Sequence, residues 1–347
     1  MYNIIDIGCR WGFADRFIKN IDKLNIFGFD PDEEECKTLQ AKYNHPHIRL
    51  VPFALSDDLR EYKLHITENP GCSSIYKPDD FVLNTFLWCG GQKPKSEAYI
   101  KTITLDLWAK ENNISSADYI KIDVQGAELD VLRGAKDILK TTSFIEIEVE
   151  FNPLYEGIPL FSHIDLFLRD QGFVLYRFLD LNHYGVFGEK EAILKDFELN
   201  FDAIVVKAPM RGGQLYWGDA LYVKETIAKG QLSSEELEKT IELANILGYF
   251  DIARRLEVFR AFKNETYIDF LHFQGMLSEH SNIERLKEIE YLKHQLEIYK
   301  SKAQRSQELE DELNQTKEQL NSVLNSRSWR ITKPIREFKK FLKSLLS

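Results

Sequence analysis

A chain of 347 residues, of which 44% are hydrophobic and 29% charged, is long enough to bury a sizeable core and to form more than one folded unit. No apolar run approaches the roughly 18 residues of a membrane-spanning helix, and no signal peptide is visible. The net charge of −10 argues against a general nucleic-acid-binding protein. The four cysteines have spacings that fit neither zinc ligands nor a redox pair, which indicates reduced thiols in a cytoplasmic protein.

Short β-rich runs alternate with helix-like stretches from residue 3 to residue 208. The runs are NIIDIG, LNIFGFD, IRLVPFAL and ADYIKIDV, followed by SFIEIEVEF, VLYRFLDL and FDAIVVKA. This alternation predicts an α/β fold with a doubly wound, Rossmann-like sheet in a domain of residues 1–208. Several runs end in an acid or a glycine, and such residues lie at the carboxyl edge of the sheet, where ligands bind in open α/β folds.

A long segment with few periodic features, residues 65–99, separates the third run from the fourth. A loop of this length in a compact domain is more often a functional lid than a passive connection, although disorder is the alternative. The sequence therefore predicts an irregular segment that acts as a functional lid.

Residues 209–282 have helical periodicity and predict a small helical subdomain. Ser233 or Ser234 is a plausible helix start, and Gly248 a break between two helices. Residues 283–325 have apolar residues at coiled-coil spacing, which predicts a dimer or trimer. A solvated single helix is the alternative for that segment.

The C-terminal residues 326–347 predict a basic amphipathic helix. Residues 327–347 contain seven Lys or Arg and one acid, and Ile335, Phe338, Leu342 and Leu345 form one apolar stripe. This pattern is typical of a helix that lies on an anionic membrane surface, here the inner face of the cell membrane. The alternative is that the stripe packs on a partner protein such as a glycosyltransferase, or closes the coiled coil.

The first twelve residues predict a nucleoside-binding turn. The strand in IIDIGCRWG ends at Gly8 and a helix begins near Gly12, and glycines there let the backbone approach a ligand closely. The next strand ends in Asp30, eighteen residues after Gly12, where an acid can hold a ribose by both hydroxyls. Because the spacing is G-x-x-x-G rather than G-x-G-x-x-G, we expect a ligand with a ribose but without a pyrophosphate.

S-adenosylmethionine fits this description, since its ammonium requires an acid and its carboxylate requires amide donors. Asp6 and the loop from Gly8 to Gly12 are predicted to supply them. The stretch from Ala54 to Asp57 is predicted to contact the adenine, with an ordinary helix cap as the alternative. The predicted cofactor-binding residues are Asp6, Gly8, Cys9, Arg10, Trp11, Gly12, Asp30, Pro31, Ala54, Ser56 and Asp123.

Five motifs occur in order: DIGCRWG, GCSSIYKPD, TITLDLW, YIKIDVQGAELDVLRGA and EVEFNPLY. Together they resemble the FkbM-type S-adenosylmethionine-dependent methyltransferases over residues 3–208. The resemblance implies a class I methyltransferase fold and methyl transfer to an oxygen, usually of a sugar or a sugar-bearing product.

A hydroxyl acceptor is a poor nucleophile, so a nearby acceptor for its proton is expected to accelerate methyl transfer. The predicted catalytic residues are Asp123 first, then Glu148, where the FkbM pattern also places an acid, and Glu128. Asp123 could instead bind the ammonium of the cofactor, and Glu128 could merely stabilise a helix N-terminus. A divalent metal on Asp123 and neighbouring glutamates is conceivable, but no spacing requires one.

These observations predict an S-adenosylmethionine-dependent O-methyltransferase. Its substrate is expected to be a sugar hydroxyl of a bacterial surface glycan of the O-antigen type, or of a lipid-linked or nucleotide-linked precursor. The alternative is a catalytically silent, nucleoside-binding scaffold whose coiled coil organises a glycan-assembly complex.

Overall fold

The computed structural model of this protein describes residues 1–185, 195–201, 204–210 and 213–261. The predicted coiled coil of residues 283–325 and the predicted amphipathic helix of residues 326–347 lie outside the described residues. The last part of the predicted helical subdomain, residues 262–282, lies outside them as well.

The secondary structure alternates between strands and helices along most of the described chain. The strands are β1 (Tyr2–Ile7), β2 (Leu24–Phe29), β3 (Ile48–Val51), β4 (Ala54–Leu55), β5 (Glu61–Thr67), β6 (Pro94–Ile103), β7 (Tyr119–Ile122), β8 (Phe144–Glu150), β9 (Phe173–Tyr184), β10 (Lys195–Phe201), β11 (Ile204–Met210) and β12 (Gln214–Lys224). The helices are α1 (Asp15–Ile18), α2 (Glu33–Lys42), α3 (Asp80–Thr85), α4 (Leu105–Glu111), α5 (Glu128–Arg133), α6 (Lys136–Leu139), α7 (Phe161–Asp170), α8 (Glu225–Ala228), α9 (Ser234–Leu247) and α10 (Phe250–Ala261). Short 3₁₀ helices cover Ile21–Lys23, Pro70–Cys72 and Leu87–Gln92.

A seven-stranded sheet with the order β3-β2-β1-β7-β8-β12-β9 forms the centre of the described structure. Its first five strands run parallel, whereas β12 is antiparallel to both of its neighbours. Both faces of the sheet are buried, since Ile5 and Ile147 pack in one apolar cluster and Ile4 and Phe144 in another. Continuous apolar strands are what a sheet covered on both faces requires. The predicted doubly wound α/β sheet is confirmed.

The end of the sheet differs from the prediction. The run FDAIVVKA was expected to be its last strand, but β11 pairs with β10 in a separate antiparallel hairpin. The strand that enters the sheet is β12, between β8 and β9, so the sheet extends beyond Ala208, where the α/β domain was expected to end. Both segments have strand-like composition, and only contacts with β8 and β9 decide which one joins the sheet.

Helices α9 and α10 pack against this sheet rather than forming a separate core. Ser233 and Glu236 form a capping box at the start of α9, and Gly248 ends it at φ = 79°, as predicted from the sequence. Leu237 and Ile241 of α9 belong to the same apolar cluster as Ile4 in β1. In its described part, the predicted helical subdomain therefore shares the core of the α/β fold.

The predicted irregular lid contains regular structure. Strands β5 and β6 are antiparallel, and β6 also pairs with β4 in a second, three-stranded sheet. From Glu97 to Thr102, residues of β6 alternate between exposed and partly or fully buried positions, as expected for a sheet with one covered face. The covered face contributes Leu64, Ile66, Ala98 and Ile100 to the wall of a cavity. The segment thus lies over the site, as predicted, but as a small sheet.

Candidate functional site

A cavity of about 590 Å³ lies at the carboxyl edge of the parallel strands. Its floor comes from the residues at the ends of β1, β2 and β7, and its roof from β5 and β6 and the turn that follows β5. An open α/β sheet binds ligands at this edge. Of the predicted site residues, those that line the cavity are Asp6, Gly8, Arg10, Trp11, Gly12, Asp30, Pro31, Ala54 and Asp123.

Two glycines shape the loop after β1. Gly8 has φ = 84°, and a Cβ atom on it would lie 1.9 Å from the carbonyl oxygen of Asp123. Gly12 has φ = 112°, and its Cβ atom would lie 2.3 Å from Oη of Tyr43. The backbone N–H of Gly8 donates to the carbonyl of Phe29 at 2.9 Å, which ties the loop to the end of β2. Both positions need glycine for their backbone conformation, and at Gly8 a side chain is also excluded because backbone approaches backbone there.

Asp6 supplies a buried carboxylate at the floor of the cavity. Its Oδ1 has no hydrogen-bond partner among the described residues. Burial raises the pKa of Asp6 to about 6, despite the opposing charge of Lys121. A buried acceptor without a partner costs stability, so this carboxylate is suited to a cationic ligand group.

Replacement of Asp6 by Asn is expected to stabilise the ligand-free protein above pH 6. The folded-state pKa of about 6 exceeds the ordinary value of 3.8, so the parent loses stability as pH rises between these values. The loss amounts to about 2–3 kcal/mol, and Asp6→Asn avoids it. Thermal melts at pH 4 and pH 8 measure the effect: the variant should melt higher than the parent at pH 8 and similarly at pH 4.

The matched control for this comparison is Asp22→Asn, which neutralises an exposed carboxylate. Its melting temperature should follow that of the parent at both pH values. If Asp6→Asn also melts with the parent at pH 8, the buried charge of Asp6 does not destabilise the fold.

Asp30 lies at the end of β2, on the wall next to the glycine loop. It is buried, and its Oδ1 accepts a hydrogen bond from the backbone N–H of Asp32 at 2.8 Å. Arg10 binds Asp32 at 2.6 Å and lies 3.7 Å from Asp30. Burial raises the pKa of Asp30, while the Asp32 amide and the Arg10 guanidinium oppose the shift. Oδ1 of Asp30 is thus held in place, and Asp30 lines the cavity.

Two predicted cofactor contacts do not line the cavity. Cys9 is buried in the apolar cluster that contains Phe13 and Phe17. Ser56 is buried as well, and its backbone N–H donates to the carbonyl of Ile103 at 3.1 Å. Ala54 does line the cavity, and it begins β4 rather than a helix, so the alternative of a helix cap is wrong.

Asp123, which directly follows β7, is held by two side chains. Gln125 Nε2 donates to its Oδ1 at 2.9 Å, and Lys121 Nζ lies 3.3 Å from its Oδ2. Burial would lower the pKa of Lys121, but the charges of Asp123 and Asp6 outweigh burial and raise it. Lys121 is therefore a cation that is paired with Asp123 and stabilised by the charge of Asp6.

Gln125 links Asp123 to a second carboxylate. Its backbone is left-handed at φ = 58°, and its Nε2 also donates to Oε1 of Glu148 at 3.0 Å. The hydroxyl of Tyr155 donates to Oε1 of Gln125 at 2.9 Å, and Ser74 Oγ donates to its carbonyl at 2.6 Å. The turn after β7 is therefore strongly constrained, as expected for strained backbone at a functional site.

Glu148 and Glu128, the other predicted catalytic residues, lie behind the cavity wall. Burial, reinforced by the charge of Asp123, raises the pKa of Glu148 well above its usual range. Glu128 accepts hydrogen bonds from the N–H groups of Val124 and Gly126 at 2.9 and 3.2 Å, and burial raises its pKa to about 7. The contacts of Glu128 stabilise the turn, which agrees with the structural alternative for that residue.

The cavity floor also includes a network that sequence reasoning missed. Glu146 accepts hydrogen bonds from Arg16 at 2.6 Å, Tyr119 at 2.9 Å and Tyr249 at 2.8 Å. Burial opposes ionisation of Glu146, but the Arg16 guanidinium and the hydroxyl donors outweigh it and lower its pKa. Tyr249 lies between α9 and α10, so the helical pair contacts Glu146, which lines the cavity.

One sequence signal could have revealed part of this network. A lysine within the buried strand YIKI needs acidic partners, and Lys121 has them in Asp6 and Asp123. No comparable signal connects Arg16 or Tyr249 to Glu146, because Arg16 lies 130 residues and Tyr249 lies 103 residues from Glu146 in the sequence.

Two features are absent from the part of the chain that the structure describes. No group of three or more His, Cys, Asp or Glu side chains is arranged to hold a metal ion. No helix is long and apolar enough to cross a membrane. The cysteines at positions 9, 36, 72 and 89 are free thiols.

Comparison with known proteins gives similarities over the α/β fold. Residues 6–175 match the family model described as the methyltransferase FkbM domain. The 2-O-methyltransferase NoeI of Sinorhizobium fredii is 34% identical over 173 residues, which are 47% of this chain and 70% of that protein. The hexuronic acid methyltransferase AglP of Haloferax volcanii is 24% identical over 164 residues, 45% of this chain and 62% of that protein.

Among solved structures, similarity was found to a TehB-like SAM-dependent methyltransferase from Corynebacterium glutamicum. The TM-score is 0.28 at 14% identity, with coverage of 64% of this chain and 80% of that one.

Proposed function

Since this chain belongs to the FkbM family of methyltransferases, we propose that the oxygen it methylates is a sugar hydroxyl. The protein is an S-adenosylmethionine-dependent O-methyltransferase with a class I methyltransferase fold. The observation that carries the proposal is one cavity that contains the glycine loop, the unpartnered carboxylate of Asp6, the acid Asp30 and the carboxylate of Asp123.

The residues of this cavity fit S-adenosylmethionine. Asp6 has an unpartnered buried oxygen, which suits the ammonium of the amino-acid part. The loop from Gly8 to Gly12 allows close backbone approach, and Asp30 suits the ribose hydroxyls. Pro31, Phe53 and Ala54 offer an apolar wall for the adenine. When bound, the cofactor would supply an electrophilic methyl group on its sulfonium, which would pass in line to the acceptor oxygen as the neutral thioether S-adenosylhomocysteine leaves.

We propose that Asp123 accepts the proton of the hydroxyl group that is methylated. Its position on the cavity wall supports this role, and Gln125 and Lys121 orient its two oxygens. A positioned general base contributes about 10²- to 10⁴-fold to the rate. Glu148 is a weaker candidate, because its raised pKa favours the protonated form, which cannot accept a proton.

A sugar acceptor is supported by two relatives, since one is named a 2-O-methyltransferase and the other a hexuronic acid methyltransferase. The polar floor and the partly apolar roof of the cavity suit a sugar ring, which has hydroxyl edges and apolar faces. More specifically, we propose that the sugar belongs to a bacterial surface glycan of the O-antigen type or to its precursor.

The C-terminal residues 283–347 are proposed to support methylation of such a glycan. Residues 283–325 are proposed to form a coiled coil that makes the protein a dimer or trimer. Residues 326–347 are proposed to attach it to the inner face of the cell membrane or to a glycosyltransferase. In both cases the catalytic domain is held near membrane-linked or growing glycan chains.

A transfer assay tests the sugar proposal. The full chain is incubated with S-adenosylmethionine that contains a tritium-labelled methyl group and with aryl glycosides of hexoses, deoxyhexoses and hexuronic acids. We expect label in at least one glycoside as a methyl ether, which resists mild alkali, whereas a methyl ester of a uronic acid does not. Matched 2-deoxy glycosides show whether the 2-hydroxyl is the acceptor. Label in protein or nucleic acid, with none in any glycoside, would contradict the proposal.

A further inference from the structure

Trp11 has two unusual properties for a residue of a binding loop. Its backbone has φ = 67°, a left-handed conformation that a bulky residue rarely adopts. It is also 62% exposed, although its side chain is large and apolar and the residue lines the cavity. Strained residues of this kind concentrate at binding sites, because surrounding contacts must hold them in place.

Helix α2 supplies those contacts. Glu35 accepts a hydrogen bond from the backbone N–H of Trp11 at 3.0 Å, and Lys42 Nζ donates to its carbonyl at 3.4 Å. Tyr43 Oη accepts from the N–H of Phe13 at 3.2 Å. These hydrogen bonds fix the backbone of the loop. At position 11 the side chain is therefore the part that can move.

The indole rests on Gly71, in the 3₁₀ helix that follows β5. A Cβ atom on Gly71 would lie 2.3 Å from the six-membered ring of Trp11. The φ angle of Gly71 is not positive, so its backbone conformation does not require glycine. A side chain at position 71 would therefore have to displace the indole of Trp11. Because both residues line the cavity, their contact joins its floor loop to its roof.

We propose that the indole of Trp11 is a movable gate that rests on Gly71, closes the cavity over the bound cofactor and slows its release. Every turnover converts S-adenosylmethionine to S-adenosylhomocysteine, so the cavity must release one molecule and admit the next. An exposed side chain changes rotamer within nanoseconds, whereas the clamped loop backbone does not need to move. The proposal concerns the cofactor and does not depend on the identity of the acceptor.

The test measures release of tritium-labelled S-adenosylmethionine from the full chain by rapid filtration after dilution into unlabelled cofactor. Trp11→Ala should increase the dissociation rate at least about tenfold, and Gly71→Ala at least about threefold, since contacting residues couple by such amounts. In the double variant the rate should equal that of Trp11→Ala, because the added methyl group acts only by displacing the indole.

Two controls separate the gate from general effects. Phe81→Ala removes another exposed aromatic side chain, away from the cavity, and Gly90→Ala adds a methyl group where no atom lies within 4 Å. Both should release the cofactor at the parental rate. If the parent binds the cofactor and Trp11→Ala releases it no faster, the gate is refuted while the proposed function stands. Additive effects in the double variant would also refute it. A parent that binds no S-adenosylmethionine would overturn the cofactor assignment and the gate together.

Discussion

Asp123→Asn is expected to lower turnover at least about 100-fold, because an amide cannot accept the proton of the acceptor hydroxyl. The substitution keeps the size of the side chain and its hydrogen bond from Gln125, so the turn after β7 should be preserved. Turnover is measured as label transfer to the best acceptor of the glycoside panel. The affinity for S-adenosylmethionine is measured separately by calorimetry, and we expect it to change far less than the rate.

Glu148→Gln is the matched control for this experiment. Burial raises the pKa of Glu148, so the neutral amide resembles the protonated acid that the fold already favours. We therefore expect a loss of less than about tenfold, due mainly to altered contact with Gln125. If Glu148→Gln is the more damaging variant, Glu148 is the base. If Asp123→Asn loses affinity and rate in equal measure, Asp123 mainly binds the cofactor.

Gly8→Ala is expected to reduce the affinity for S-adenosylmethionine by at least about 100-fold. The new Cβ atom would lie 1.9 Å from a backbone oxygen of Asp123, which no side-chain rotation can relieve. The ends of β1 and β7 would have to separate, and these ends form the floor of the cavity. Calorimetry with S-adenosylmethionine measures the loss, and a thermal melt shows whether the variant still folds.

Gly157→Ala separates the collision from backbone strain. Gly157 also has a positive φ, 75°, but nothing lies within 4 Å of its Cβ position. The Gly157→Ala protein should therefore lose only about 1 kcal/mol of stability and should bind the cofactor as the parent does. A folded Gly8→Ala protein with parental affinity would show that the loop does not need to approach β7 closely.

The sequence alone determined the parallel half of the fold and most of the cavity floor. Strands of parallel sheets are buried on both faces, so β1, β2 and β7 appear as largely apolar runs, and β8 as a β-rich run in which apolar residues alternate with glutamates. Residues that directly follow such runs meet at one edge, which explains why Asp30 and Asp123 could be placed beside Gly8. The same argument failed for Cys9 and Ser56, because adjacency to a cavity does not fix the direction in which a side chain points.

Only the tertiary structure decided which strand completes the sheet and what holds the acids in place. The segments β11 and β12 are both strand-like, and pairing with β8 and β9 selects β12. Gln125 joins Asp123 to Glu148, and Tyr249 reaches Glu146 from 103 residues away. Local sequence patterns report burial and backbone conformation, whereas such contacts depend on distances that exist only after the chain has folded. For the same reason, the sequence identified Trp11 as a residue of the loop, but only its approach to Gly71 indicates a gate.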